Sequence, residues 1–152
     1  MKIIQGDIIA AFKAGEIHVL VHQVNCQRVM GAGLAKQIKQ AFPQHYTDYM
    51  QTTPRLGGSV ITCLPDGDIY VVGIYGQDRY GKGLHTNYQA LADGLDKLVG
   101  GISPANIQRT RIGIPYKLGC GLAGGDWGVV QDIIESVEQR YNTEFSIYKL
   151  GS

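Results

Sequence analysis

No charge of one sign accumulates in this 152-residue sequence: 14 Lys and Arg stand against 13 Asp and Glu, a formal net charge of +1. A nearly neutral chain has no global field to gather nucleic acid or anionic lipid, so any anion site must be local. Arg109 and Arg111 form only a short cluster and no longer basic stripe is present, which gives a nucleic-acid partner little support. Cys26, Cys63 and Cys120 are odd in number and lack CxxC spacing, which argues against a disulfide framework and a zinc ribbon and fits a reducing compartment. No stretch approaches the ~18 apolar residues of a membrane span, and Gln5, Gly6 and Asp7 interrupt MKIIQGDIIA before it reaches signal-peptide length. A cytoplasmic location is therefore expected, with no membrane partner, metal or cofactor. Proline is rare, at 5 residues, whereas glycine, at 21, is about twice its ordinary ~7% share. That balance describes a folded chain with many tight loops.

The length suits one domain, residues 1–152. Lys2–Gln5 reads as a short strand, and Gly6-Asp7 as a turn before a short helix, IIAAFK, that Gly15 ends. HVLVHQV, ending at Val24, has the composition of a central strand buried on both faces. Leu34, Ile38 and Ala41 recur at helical spacing as far as Phe42-Pro43, where proline marks a stop, and HYTDYMQTT is a second helical piece. SVITCLP and IYVVGIYG, separated by Asp66-Gly67-Asp68, form a hairpin signal. A loop, QDRYGKGLHT, precedes a helix carrying Leu91, Leu95, Leu98 and Val99; RTRIGIPY is the next strand; Val130, Ile133, Ile134 and Val137 stripe a last helix before the strand FSIYKL. Strands alternating with helices predict an α/β sandwich, with helices on both faces of a mixed, mostly parallel sheet.

Two of the strand-to-helix junctions are rich in glycine: NCQRVMGAG and KLGCGLAGGDW. Glycines there either let the chain turn tightly or let backbone N–H groups approach an anion where a helix dipole favours negative charge. Both loops lie at carboxyl ends of strands, where open α/β sheets bind ligands. Two such loops can grip a diphosphate from opposite sides with backbone donors alone, which suits a nearly neutral chain. No Walker GxxxxGK[ST] is present and neither loop matches GxGxxG with its distant acidic residue, so P-loop and NAD-binding Rossmann readings weaken.

GDI (Gly6–Ile8), VNC followed by MGAGLA (Asn25–Ala35), NYQAL (Asn87–Leu91) and PYKLGCGLAGGDW (Pro115–Trp127) run in one order along nearly the whole chain. In these motifs the sequence resembles the macrodomain family of ADP-ribose-binding proteins. It looks closest to the branch with the terminal ADP-ribose glycohydrolase, the DNA ADP-ribosyl glycohydrolase antitoxins and the yeast ADP-ribose-1″-phosphate phosphatase. The resemblance implies a three-layer α/β/α macrodomain sandwich of about six strands. It also implies a ligand: ADP-ribose, ADP-ribose-1″-phosphate or an ADP-ribosylated macromolecule. Carried over, it gives Asp7 the adenine amino group and the Ile8 backbone the adenine ring; Asp7 equally suits an N-cap, and both roles can coexist. It gives Asn25 the distal ribose. Met30, Gly31, Ala32 and Gly33 then border the distal ribose and its phosphate, and Leu118, Gly119, Cys120, Gly121, Leu122 and Ala123 wrap the diphosphate.

Turnover requires a base, nucleophile or acid near the distal ribose. In the deglycosylating relatives a lysine follows the strand corresponding to IYVVGIYG and an aspartate follows Gly-Cys-Gly-Leu; these positions hold Gln77 and Ala123 here. Lys82 reads as a solvated loop residue and Asp126 as a helix cap. The remaining catalytic candidates are His22 and Asn25. A histidine occupies the place of His22 in the yeast phosphatase, three residues before the loop asparagine, and can move a proton during phosphate-monoester cleavage. The other reading of His22 is an inert core histidine turned from the pocket. Cys26 and Cys120 lack a recognisable base and His85 lies outside the motifs; Tyr75, Tyr80 and Trp127 suit either stacking on the ligand or core packing. An enzyme of ADP-ribose hydrolysis and a non-catalytic binder of ADP-ribose or a related nucleotide signal are both compatible with these residues.

Overall fold

The structure, a computed structural model, describes residues 1–151. Strands β1 (Lys2–Gln5), β2 (Val19–Asn25), β3 (Ser59–Cys63), β4 (Tyr70–Gln77), β5 (Ile112–Pro115) and β6 (Ser146–Lys149) form one sheet in the order β1-β6-β5-β2-β4-β3. Every pairing is parallel except β3 with β4, the hairpin expected across Asp66-Gly67-Asp68. HVLVHQV is indeed internal, between β5 and β4, and runs one residue further, to Asn25.

Alternation along β2 divides the core. Val19 and Val21 face α4 (Tyr88–Gly100) and α5 (Trp127–Tyr141), packing with Leu91, Leu95, Val130 and Ile134. Leu20 faces the opposite layer, with Ile8 and Phe12 of α1 (Ile8–Lys13) and Ile38 of α2 (Gly33–Ala41). Val24 packs there against Tyr49 of α3 (Pro43–Gln51). Apolar side chains on both faces of a parallel strand give the three-layer α/β/α sandwich.

Two local expectations change. Pro43 ends α2 but also begins α3, because proline at the first helical position has no N–H to leave unpaired; Phe42 closes one helix and precedes the next. Arg109, expected at the start of a strand, belongs to a 3-10 turn over Ile107–Arg109, and β5 starts at Ile112. So short a turn leaves no apolar period to read.

A buried polar chain ties α3 to the sheet. His22 Nε2 lies 2.8 Å from His45 Nε2, His45 Nδ1 lies 2.8 Å from Thr62 Oγ1, and the Thr62 hydroxyl donates to Asp48 Oδ2 at 2.7 Å. His22, His45 and Thr62 are buried. Burial, and then the neighbouring His45, hold His22 well below its usual pKa of 6.5, and burial brings His45 down to about 4. Both rings are neutral at pH 7.

Two expectations follow from this packing. Gly94 of α4 lies flush on β4, and a Cβ there would overlap Ile74 Cγ2, a fully buried branched side chain. Ala is favoured over Gly in a helix by about 0.8–1 kcal/mol, yet overpacking costs about 1–3 kcal/mol. Gly94→Ala should therefore lower the urea midpoint, and it should cost less in an Ile74→Ala background, which lacks the Cγ2 that the new Cβ overlaps. The histidines make stability depend on pH. Unfolded, each titrates near 6.5, so between that value and the lowered folded values the unfolded chain binds more protons, and stability falls as pH drops. From pH 7 to pH 5 the loss should reach up to about 2 kcal/mol per histidine, from 1.36 kcal/mol per pH unit. Urea denaturation at the two pH values measures it, and a flat stability would contradict the neutral buried pair.

Candidate functional site

The carboxyl ends of β2, β4 and β5 open into a cleft of about 520 Å³, a size that suits a small-molecule ligand. One wall runs from Asn25 to Ala35, the other from Pro115 to Ala123, and Gln23 and Gln77 lie between them. A larger hollow, about 770 Å³, lies beside α4 and the β3–β4 hairpin, and neither glycine-rich loop contributes to it.

The first wall ends at the N-terminus of α2. Asp7, Asn87 and Asp126 cap α1, α4 and α5 through their side chains, and proline opens α3. The residue before α2 is Ala32, which has no side chain able to cap, and the first turn of α2 carries no acidic residue. Among the described residues its leading N–H groups have no side-chain acceptor, and at Gly31 and Gly33 a Cβ would meet nothing within 4 Å. An unfilled helix N-terminus bordered by open backbone is electrostatically suited to an anion.

Asn25 holds this wall in place. Its Oδ1 accepts from Gln27 N (3.0 Å) and Val29 N (3.3 Å) and shares the Tyr49 hydroxyl proton (2.8 Å) with the Asn25 backbone oxygen (2.6 Å), and its Nδ2 donates to Val29 O at 2.7 Å. The asparagine thus folds the loop around its own side chain, and one amide hydrogen remains for a ligand. Burial pushes the Tyr49 phenol well above its usual pKa, so its proton stays available to Asn25.

The second wall is tied to the start of α4. The Thr86 hydroxyl donates to Gly119 O at 2.6 Å, and Gly125 N donates to the same oxygen at 2.9 Å. Gly119 has φ +73°, the left-handed region, and a Cβ there would press on Gln23 Oε1 and Thr86 Oγ1. Gly121 instead has open space around its missing side chain.

A register shift supplies the floor. Val24 pairs with Tyr75 and Asn25 with Gln77, so Gly76 is an extra residue in β4, the kind of bulge that re-aims side chains beside sites. Gln23 fills the space a side chain at Gly76 would need. Its Nε2 donates to Gln77 Oε1 (2.8 Å) and Thr86 Oγ1 (3.0 Å), while its buried Oε1 has no partner among the described residues.

The expected residues are only partly brought together. Asn25, Gly31, Ala32, Gly33, Leu118, Gly119, Gly121, Leu122 and Ala123 line the cleft, as does His22. Gln77 and Ala123, where the deglycosylating relatives carry lysine and aspartate, line it too. Met30 does not: its side chain is buried against Val24 and Tyr49, because the loop closes over α3. Cys120 also turns inward, its thiol 3.3 Å from Leu118 O, and burial raises its pKa, which disfavours the nucleophilic thiolate. Asp7 caps α1, accepting from Ile9 N (2.8 Å) and Ala10 N (3.2 Å), and Ile8 is buried in the core; neither reaches the cleft lining. Both sit at the carboxyl end of β1, on the same edge of the sheet. Asp126 caps α5 and Lys82 is exposed, both as expected. Tyr75 is core, Trp127 packs on Tyr116, and Tyr80 lines the cleft at 56% exposure. Sequence reasoning passed over Gln23, Tyr49 and Thr86. Period-two alternation places Gln23 opposite His22, but nothing in the sequence marks Tyr49 as the partner of Asn25.

The sequence pattern of the Macro domain family matches residues 21–134. An uncharacterised 17.5 kDa protein of Enterobacteria phage T4 is 29% identical over 97% of this chain and 93% of its own length. The DNA ADP-ribosyl glycohydrolase of Thermus aquaticus is 30% identical over 98% of this chain, which spans 41% of that relative's length. Among solved structures, the macrodomain of Mycobacterium tuberculosis DarG aligns with a TM-score of 0.78 at 25% identity, over 97% of this chain and 95% of that one. Thermosipho africanus DarTG in complex with ADP-ribose aligns at 0.78 and 19% identity, over 98% of this chain and 42% of that one. Since the Macro domain pattern covers residues 21–134 of the 152, the chain belongs to the macrodomain family.

Proposed function

We propose that the chain binds ADP-ribose in the cleft between its two glycine loops and hydrolyses a bond to the distal ribose, with ADP-ribose-1″-phosphate or an ADP-ribosyl-modified macromolecule as substrate. The observation that carries the binding is the N-terminus of α2, free of any capping side chain and opening onto Gly31 and Gly33. A diphosphate there meets backbone donors from both loops, and Asn25 has one amide hydrogen for the ribose. Asp7 retains a carboxylate oxygen that caps nothing, suited to the amino group of an adenine lying along the sheet edge toward β1. The relatives that are DNA ADP-ribosyl glycohydrolases support the chemical class, and the cytoplasm, with its reducing pool, remains the proposed location.

The bond cleaved depends on which groups reach it. No lysine stands at position 77 and no aspartate at 123, so a lysine-based release of ADP-ribose lacks both partners. His22 lines the cleft and is the titratable ring nearest in sequence to Asn25, which favours the phosphatase. Its burial favours the second reading, a binder without turnover. Phosphate release from ADP-ribose-1″-phosphate, beside ADP-ribose release from modified DNA and protein, separates the two. The expected result is phosphate release with slow or absent deglycosylation; neither product would leave the binder.

Binding has its own test. Gly121→Glu places a side chain and a negative charge in open space where the diphosphate would sit, so calorimetry should find ADP-ribose affinity lost while circular dichroism and thermal unfolding stay near the parent's. An unchanged affinity would mean that the second loop only turns the chain.

A further inference from the structure

The direction of every bond in the chain Asp48–Thr62–His45–His22 follows from its outer end. A carboxylate only accepts, so the Thr62 hydroxyl gives its one proton to Asp48 Oδ2. Thr62 Oγ1 is then an acceptor for its other neighbour, and His45 must carry its proton on Nδ1 to donate to it. A neutral imidazole has only one N–H, so His45 Nε2 is bare and His22 must donate from Nε2. His22 Nδ1 is left unprotonated, and among the described residues this buried atom has no hydrogen-bond partner. His22 is 2% exposed and lines the cleft. An unpaired acceptor at such a place costs stability unless something fills it.

We infer that Asp48, Thr62 and His45 are positioning residues that hold His22 as its Nε2–H tautomer, so that a bare Nδ1 accepts a proton from a hydroxyl or water in the cleft and passes its equivalent outward to Asp48. The transfer balances. As Nδ1 of His22 takes a proton, Nε2 gives its own to His45 Nε2, Nδ1 of His45 gives its own to Thr62 Oγ1, and the Thr62 proton moves to Asp48. Each ring ends neutral in its other tautomer and the charge on the half-buried carboxylate is cancelled. No buried imidazolium forms, which is how a ring this poor at holding a positive charge can still remove a proton. Asp48 Oδ1 also accepts from Gln44 Nε2 at 2.9 Å on the outer face of α3, where exchange with solvent resets the chain. The identity of the proton donor rests on the ADP-ribose reading; the order of tautomers does not.

Nitrogen-15 NMR of the histidine side chains in the full chain reads the tautomers directly. The expected spectrum has His22 protonated on Nε2 and His45 on Nδ1. Thr62→Val keeps the shape and removes the acceptor, so His45 should move its proton to Nε2 and force that of His22 onto Nδ1, erasing the bare acceptor. Thr62→Ser should restore the parent spectrum. With ADP-ribose-1″-phosphate, Thr62→Val should lower kcat roughly 10²-fold with KM within a few-fold, and Thr62→Ser should recover it. A parent His22 already protonated on Nδ1, or tautomers unchanged in Thr62→Val, overturns the inference. His22 signals that ignore saturating ADP-ribose in a sample that binds it overturn the acceptor role. A chain that binds no ADP-ribose, with the tautomers as expected, overturns the proposed ligand and supports the bond order.

Discussion

The carboxamide of Asn25, at the end of the central strand, meets backbone at Gln27 and Val29 and the hydroxyl of Tyr49. A single side chain thereby fixes where β2 stops, how the following loop turns and against which helix it rests. Gly31 and Gly33 can remain bare because the loop's shape is enforced from within by Asn25 and from below by Met30. Each neutral hydrogen bond contributes only about 1 kcal/mol net, and this one carboxamide makes four of them. The cleft is thus held by a small cluster whose loss would be felt as misplacement of a whole wall.

The floor adds no compensating charge. Gln23 and Gln77 offer amides, the walls offer peptide N–H groups, and Lys117 stands on the lining of the second wall. An anion held by oriented dipoles needs no lysine or arginine, in keeping with a formal net charge of +1. Such binding is less weakened by salt than binding to exposed cations, because little of it is long-range attraction.

Much of this was legible in the sequence. Strand and helix order followed from apolar periods, the hairpin from Asp66-Gly67-Asp68, and the cleft from two glycine clusters at strand ends. The central position of β2 followed from HVLVHQV, since a strand covered on both faces has no polar period. What stayed hidden depended on contacts across the chain. The bulge at Gly76 exists only because β2 and β4 pair in a shifted register, and that register places Gln23. His22 was legible as a residue but not as half of a pair, because His45 lies 23 positions away in a segment with only a weak helical signal. Met30 and Cys120 sit inside the right motifs yet face inward, a choice of side that loop sequence does not encode.

Around Gly31, Gly33 and Gly121 the cleft walls present open backbone with no side chain to remove. At these positions an alanine scan has nothing to take away, because the atoms there that face the cleft belong to the peptide chain. The surface is sensitive in the opposite direction, to atoms gained. Drift at these glycines is punished wherever a side chain is acquired, so the record of selection there would be written in the residues that never appear.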